Sequence, residues 1–134
     1  MILLDTCALI WSVNRDPISS EALKPIAKAS ATGALFLSPV SAWEIGLLTS
    51  RGRLSLQVPA ETYIARAFSR PGVRVAPLTA EIAVRASYLP GTFHEDPADR
   101  MLISTAIFMG LPLVTRDRRI LRYGAEGYVS VLAC

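Results

Sequence analysis

Thiol and imidazole ligands are almost missing from this chain. Its 134 residues include one histidine, His94, and two cysteines, Cys7 and Cys134. Three such residues, so spaced, make no zinc-binding pattern, and the two cysteines make no disulfide framework. A reduced, cytoplasmic compartment is therefore expected. No apolar run reaches the ~18 residues of a membrane span, so no membrane partner is expected. The first residues carry Asp5 within their apolar stretch and have no basic lead, unlike a secretory signal. Lysine is also scarce, with only Lys24 and Lys28 beside twelve arginines, and there is no low-complexity tract, repeat or linker.

What the chain does have is apolar bulk and arginine. Hydrophobic residues make up 51%, which excludes a disordered chain. The length suits one domain, residues 1–134, able to bury roughly two thirds of its unfolded surface without a covalent staple. Fourteen basic residues against eleven acidic ones leave a net charge of +3. The planar arginine fork suits phosphate, so this balance permits a nucleic-acid partner without requiring one.

Short apolar runs alternate with helical patterns. Ile2-Leu3-Leu4, Leu35-Phe36-Leu37, Val73-Arg74-Val75, Leu113-Val114 and Tyr128 to Leu132 read as strands. Helices are expected over Thr6–Val13, from Ser19 or Ser20 to Ala31 with Pro25 limiting the first part, from Ser38-Pro39 to Ser50, over Ala60–Ser69, from Thr79 to about Tyr88, and over 97–109 ending at Gly110. Only a short helical turn is expected near Asp117. Met101, Leu102, Thr105 and Phe108 lie close to helical spacing and should face a core. Strands apolar on both faces and separated by helices imply an α/β fold: a three-layer α/β/α sandwich around a central, mainly parallel sheet. Such sheets bind ligands beyond the carboxyl ends of their strands.

Four acids fall at or near those ends. Asp5 follows the first strand, Glu44 lies in the helix after the second, Asp99 opens the helix at 97–109, and Asp117 follows Leu113-Val114-Thr115-Arg116. Glu44 stands out because its helical neighbours Val40, Leu47 and Leu48 are apolar and no Lys or Arg lies three or four residues away. A carboxylate on such a face loses hydration and needs a cation from elsewhere, or a place at the open rim. Oxygen ligands without His or Cys suit Mg²⁺ or Mn²⁺, which commonly act on phosphodiesters. For Asp96 the simple reading is a helix N-cap with Pro97 at the first helical position; support of a metal site is the alternative. Arg116, Arg118, Arg119 and Arg122 read equally as a grip on a phosphate backbone or as the solvated side of a short helix. Trp11 and Trp43 read as core or dimer-contact residues.

The segments MILLDTCALIW at 1–11, SPVSAWEIGLL at 38–48, FHEDPADRMLISTA at 93–106 and LPLVTRDRRIL at 111–121 together resemble the PIN-domain ribonucleases, closest to VapC-type toxins of type II toxin–antitoxin pairs. The resemblance implies a PIN-like fold and Mg²⁺- or Mn²⁺-dependent cleavage of RNA. It also implies a cognate antitoxin protein as inhibitor, and a homodimer. The acidic quartet maps onto Asp5, Glu44, Asp99 and Asp117, both as metal ligands and as catalytic residues. Thr115 resembles the family's hydroxyl residue beside the metal, and Thr115, Arg116 and Arg100 are the substrate-binding candidates. Two departures stand out: Cys7 replaces a common His, and Leu48 replaces a common Lys one turn from Glu44. Competing readings are a receiver-like Mg²⁺-binding signalling module and a non-catalytic PIN-like interaction domain.

Overall fold

The computed structural model describes residues 1–134. Five three-residue strands form one sheet: β1 (Ile2–Leu4), β2 (Leu35–Leu37), β3 (Val73–Val75), β4 (Leu113–Thr115) and β5 (Val131–Ala133). Their order is β3-β2-β1-β4-β5, and every neighbouring pair is parallel. The sheet is thus wholly rather than mainly parallel. Its order also differs from the 2-1-3-4-5 order typical of receiver folds. Seven helices cover it: α1 (Thr6–Asn14), α2 (Ser20–Ala31), α3 (Pro39–Ser50), α4 (Ala60–Phe68), α5 (Ala80–Ala86), α6 (Pro97–Met109) and α7 (Arg118–Ala125).

Side chains alternate across a strand, so even three-residue strands feed two cores. Ile2, Leu4, Leu35, Leu37 and Val114 point to one face and pack against α1, α2, α4 and Ile45 of α3. Leu3, Phe36 and Leu113 point to the other, where α6 contributes Leu102, Ile103 and Ala106, and α7 contributes Ile120 and Tyr123. These are the three layers expected. No helix is long and apolar enough to cross a membrane.

Some elements differ from the sequence reading. Pro25 does not limit α2, which runs through it. The carbonyl it leaves without a helical partner belongs to Glu21, an exposed residue in the first turn of the helix. The turn near Asp117 is an eight-residue helix, because Asp117 caps it and Ile120 and Tyr123 bury on one side. The last strand begins at Val131 rather than Tyr128. Sheet pairing starts only where Leu113 N–H donates to Ser130 O, while Val129 is drawn into the core and Tyr128 stacks on Tyr123. Helix α5 stops at Ala86, two residues short of Tyr88. Leu102 and Thr105 are buried, but Phe108 is 49% exposed because the buried stripe of α6 runs through Ala98, Ile103 and Ala106 instead. Trp43 is not a core residue either, being 54% exposed.

Strand β1 is central, and the chain leaves it for β2 on one side and later returns to β4 on the other. The crevice beyond the carboxyl ends of β1 and β4 is therefore the expected binding position in this topology.

Candidate active site

Three short connections deliver polar residues to that crevice. Asp5 alone joins β1 to α1. Its backbone N–H donates to Val114 O at 3.0 Å, and its Oδ1 accepts the Ala8 N–H at 2.7 Å as the α1 N-cap. Ser38 joins β2 to α3 and caps it through Val40 N–H. The Thr6 hydroxyl donates to Ser41 Oγ at 3.0 Å, tying α1 to α3 and fixing the side on which Glu44 lies. After β4, Asp117 caps α7, its Oδ1 accepting the N–H groups of Arg119 at 2.7 Å and Ile120 at 3.3 Å. On α6, Asp96 is the N-cap and accepts the Asp99 N–H at 3.0 Å.

The four acids singled out from the sequence line one cavity of about 480 Å³, together with Asp96, Thr6, Cys7, Trp11, Leu48, Arg116 and Arg119. Helix starts meet at this edge because every parallel strand must be followed by a helix, and short polar side chains cap them. The helix dipoles favour negative charge there.

The charge is nevertheless poorly compensated. Burial pushes the Asp5 carboxyl up to about 6; Glu44 and Asp117 push the same way, while the Thr115 hydroxyl and the Ala8 N–H oppose. Asp99 is pushed up to about 7, first by burial and then by Asp96, Asp117, Glu44 and Asp5. Burial also raises Glu44, which has no basic partner. Partial burial acts upward on Asp117 as well, but hydrogen bonds from Arg119 and Ile120 outweigh it and hold that carboxyl low. Burial beside Asp5 and Glu44 raises the Cys7 thiol to about 11, so it is protonated at neutral pH.

These features fit a hard divalent cation. The donors are carboxylate oxygens, and a cation would relieve the repulsion that lifts Asp5 and Asp99. No three of the acids, cysteines or the histidine stand close enough together to enclose an ion outright. An ion here would therefore keep much of its water and take few carboxylates directly, as Mg²⁺ can.

The other residues expected at the site divide. Thr115 is fully buried behind the cavity, where its Oγ1 accepts the Asp117 N–H at 3.0 Å. From there it hydrogen-bonds Asp117 and Asp5. Arg100 does not line the cavity. Its guanidinium donates to Ala86 O at 2.8 Å, Phe93 O at 3.1 Å and His94 O at 3.2 Å, which braces the segment before α6. Arg116 lines the cavity but is largely committed, donating to Cys134 O and Pro17 O and lying 3.9 Å over the Trp11 ring.

Sequence reasoning missed Arg119 as the one cation paired with the quartet, its Nη2 lying 3.3 Å from Asp117 Oδ2. The spacing of two residues after an N-cap Asp was the available signal. His94 sits between roles. Its Nδ1 accepts the Asp96 N–H, and its enclosed Nε2 lies 3.3 Å from Asp99 Oδ2 without an aligned hydrogen bond. Burial and Arg119 lower its pKa, so the ring is neutral at pH 7.

Comparison with known proteins agrees with this architecture. Residues 2–126 match the family model described as the PIN domain. The chain is 33% identical over 120 residues to Ribonuclease VapC22 of Mycobacterium tuberculosis (strain ATCC 25618 / H37Rv), covering 89% of this chain and 88% of that protein. Its fold matches VapBC2 from Rickettsia felis, solved bound to a promoter DNA fragment, with a TM-score of 0.71 and 15% identity over 99% of this chain and 98% of that one. DNA-bound VapBC from Salmonella typhimurium matches with a TM-score of 0.60 and 20% identity, over 99% and 98% of the two chains.

Proposed function

The chain belongs to the PIN-domain family, and from that membership and the acidic cavity we propose that it is a Mg²⁺- or Mn²⁺-dependent endoribonuclease, the toxin of a VapC-type toxin–antitoxin pair. One observation carries the reading: Asp5, Glu44, Asp99 and Asp117, from four separate segments, line a single cavity at the carboxyl edge of the sheet. The 33% identical relative is itself named a ribonuclease.

Asp5, Glu44, Asp99 and Asp117 are the residues that would hold the cation, some of them only through its bound water. Once bound, it would acidify a water and offset the charge that builds on the phosphate. The chain's own contribution is placement. Asp5 is fixed from both sides by Val114 O and Ala8 N–H, Asp117 by Thr115 and α7, and Asp99 by the Asp96 cap. Leu48 lines the cavity at the position where the family resemblance implies a lysine, so the grip on phosphate falls to other cations of this chain. An antitoxin protein as inhibitor follows from the same family reading, as does a homodimer. The exposed apolar side chains Val84, Tyr88, Ile107 and Phe108 on and beside α5 and α6 support a protein partner.

The test is cleavage of RNA by the full chain with Mg²⁺ or Mn²⁺. Asp5→Asn and Asp99→Asn are each expected to lower the rate by about two to three orders of magnitude while circular dichroism stays unchanged. Growth arrest on expression, relieved by the adjacent gene's product and absent with Asp99→Asn, would tie cleavage to toxicity. Equal cleavage by either variant would refute the assignment.

A further inference from the structure

A second cavity of about 310 Å³ adjoins the acidic one, and Arg119 lines both. Its other walls include Phe93, His94, Tyr123, Arg122 and Glu126. We propose that this cavity receives the nucleotide next to the scissile phosphate of a single-stranded RNA, with Arg119 at the boundary and Arg122 gripping the backbone. The proposal rests on the ribonuclease reading and specifies how that site takes its substrate.

Three observations carry it. The first is charge. Arg116 is spent on Cys134 O, Pro17 O and the Trp11 face, and Arg100 on three backbone carbonyls. Arg122 has no carboxylate within ion-pairing distance, and Arg119 uses a single side-chain contact, to Asp117. Both residues line the cavity, where Glu126 is the one acidic residue. They stand three residues apart on α7, hence on neighbouring turns of one helix side.

The second is an aromatic wall. Phe93 is only partly buried and lies edge-on to Tyr123 at 5.1 Å, while His94 stacks obliquely on Phe93 at 4.1 Å. Tyr123 is buried behind them, so the surface offered to a base is the partly exposed Phe93–His94 pair. Bases of any identity stack on aromatic faces, and arginine beside such a face adds a cation–π contribution in single-strand binding.

The third is rigidity. The segment carrying Phe93 and His94 is held by the three Arg100 bonds, by the Tyr123 hydroxyl donating to Pro90 O, and by Asp96 N–H donating to His94 Nδ1. Gly91, at φ +69°, allows Tyr128 to press on that segment, since a Cβ there would lie 2.6 Å from its ring. A wall so fixed is formed before any ligand arrives, which lowers the entropic cost of binding.

The test is binding of a fluorescein-labelled single-stranded oligoribonucleotide, by anisotropy, to the full chain carrying Asp99→Asn in EDTA, so that nothing is cut. Cleavage by the unaltered chain is measured in parallel. Arg122→Gln is expected to weaken binding and to reduce the slope of log Kd against log salt by about 0.7, the value for one phosphate contact on a single strand. Phe93→Leu, which keeps apolar bulk, should weaken binding about fivefold or more and leave the salt slope unchanged. Arg118→Gln removes the same charge from an exposed α7 residue that lines neither cavity, and should weaken binding less than Arg122→Gln does. Circular dichroism confirms that each variant is folded.

If Arg118→Gln and Arg122→Gln weaken binding equally, or if Phe93→Leu binds as tightly as its parent, the subsite is wrong while the nuclease reading stands, provided the unaltered chain cleaves. If the unaltered chain neither cleaves nor binds RNA, both fall.

Discussion

At the scale of single residues, the acids sit in a folded state that works against their ionisation. Asp5 and Asp99 hold their protons up to about 6 and about 7, where the unfolded chain releases them near 4. The folded state thus binds more protons between about pH 4 and 7, and stability is lost as pH rises through that window. Asp117 is shifted the other way, so its contribution is lost only on acidification, as pH falls towards its depressed folded value. In EDTA, urea denaturation is therefore expected to show lower stability at pH 7.5 than at pH 5. At pH 7.5 Asp99→Asn should stabilise the metal-free chain by about 1–3 kcal/mol. A loss of stability on that substitution at both pH values would contradict the electrostatic account. Replacing an acid that does useful work at a site and gaining stability is the expected sign where function requires strain.

At the scale of elements, capping and chemistry share atoms. Asp117 is the α7 N-cap through Oδ1, while Oδ2 faces Arg119. Asn keeps a capping oxygen, whereas Ala keeps neither role. Asp117→Asn should therefore leave stability within about 0.5 kcal/mol, and Asp117→Ala should cost about 1 kcal/mol more. Both should lower RNA cleavage by about two orders of magnitude, read in the same preparations. Equal stability of the two variants would show that the cap contributes nothing. The same sharing explains Asp96, which caps α6 and also lines the cavity. Its two readings from the sequence do not exclude each other.

At the scale of the whole molecule, a cation would connect segments that the fold otherwise holds apart by repulsion. Each acid comes from a different strand–helix connection or helix, on both flanks of β1. Binding of Mg²⁺ or Mn²⁺ to the folded chain alone stabilises it by mass action, by about 2.7 kcal/mol at a concentration 100-fold above Kd. The melting temperature at pH 7.5 should rise by several degrees with Mn²⁺, less at pH 5 where protons compete, and not at all in Asp99→Asn. A rise of the same size in Asp99→Asn would place the ion elsewhere.

Much of this was readable before any coordinates. Period and punctuation mark the elements: Ser38-Pro39 separates the triplet Leu35-Phe36-Leu37 from a helix, and Asp96-Pro97 and Gly110 bound the helix between them. Local chemistry also marks Asp96 as a helix start, because capping depends on residues within one turn, whereas the caps at Asp5 and Asp117 emerge only in the structure. What only the tertiary structure decided was partnership between distant segments. Arg100 and Arg116 are both substrate-binding candidates in the sequence, but the carbonyls of Ala86, Phe93 and His94 take the donors of the first, and Cys134, Pro17 and Trp11 engage the second. Arg119 became the cation of the quartet for the converse reason: no carbonyl reaches it and Asp117 does. A guanidinium is long and has five donors, so its sequence neighbours say little about which acceptors it finds. A capping carboxylate is short, and its own helix determines where it points.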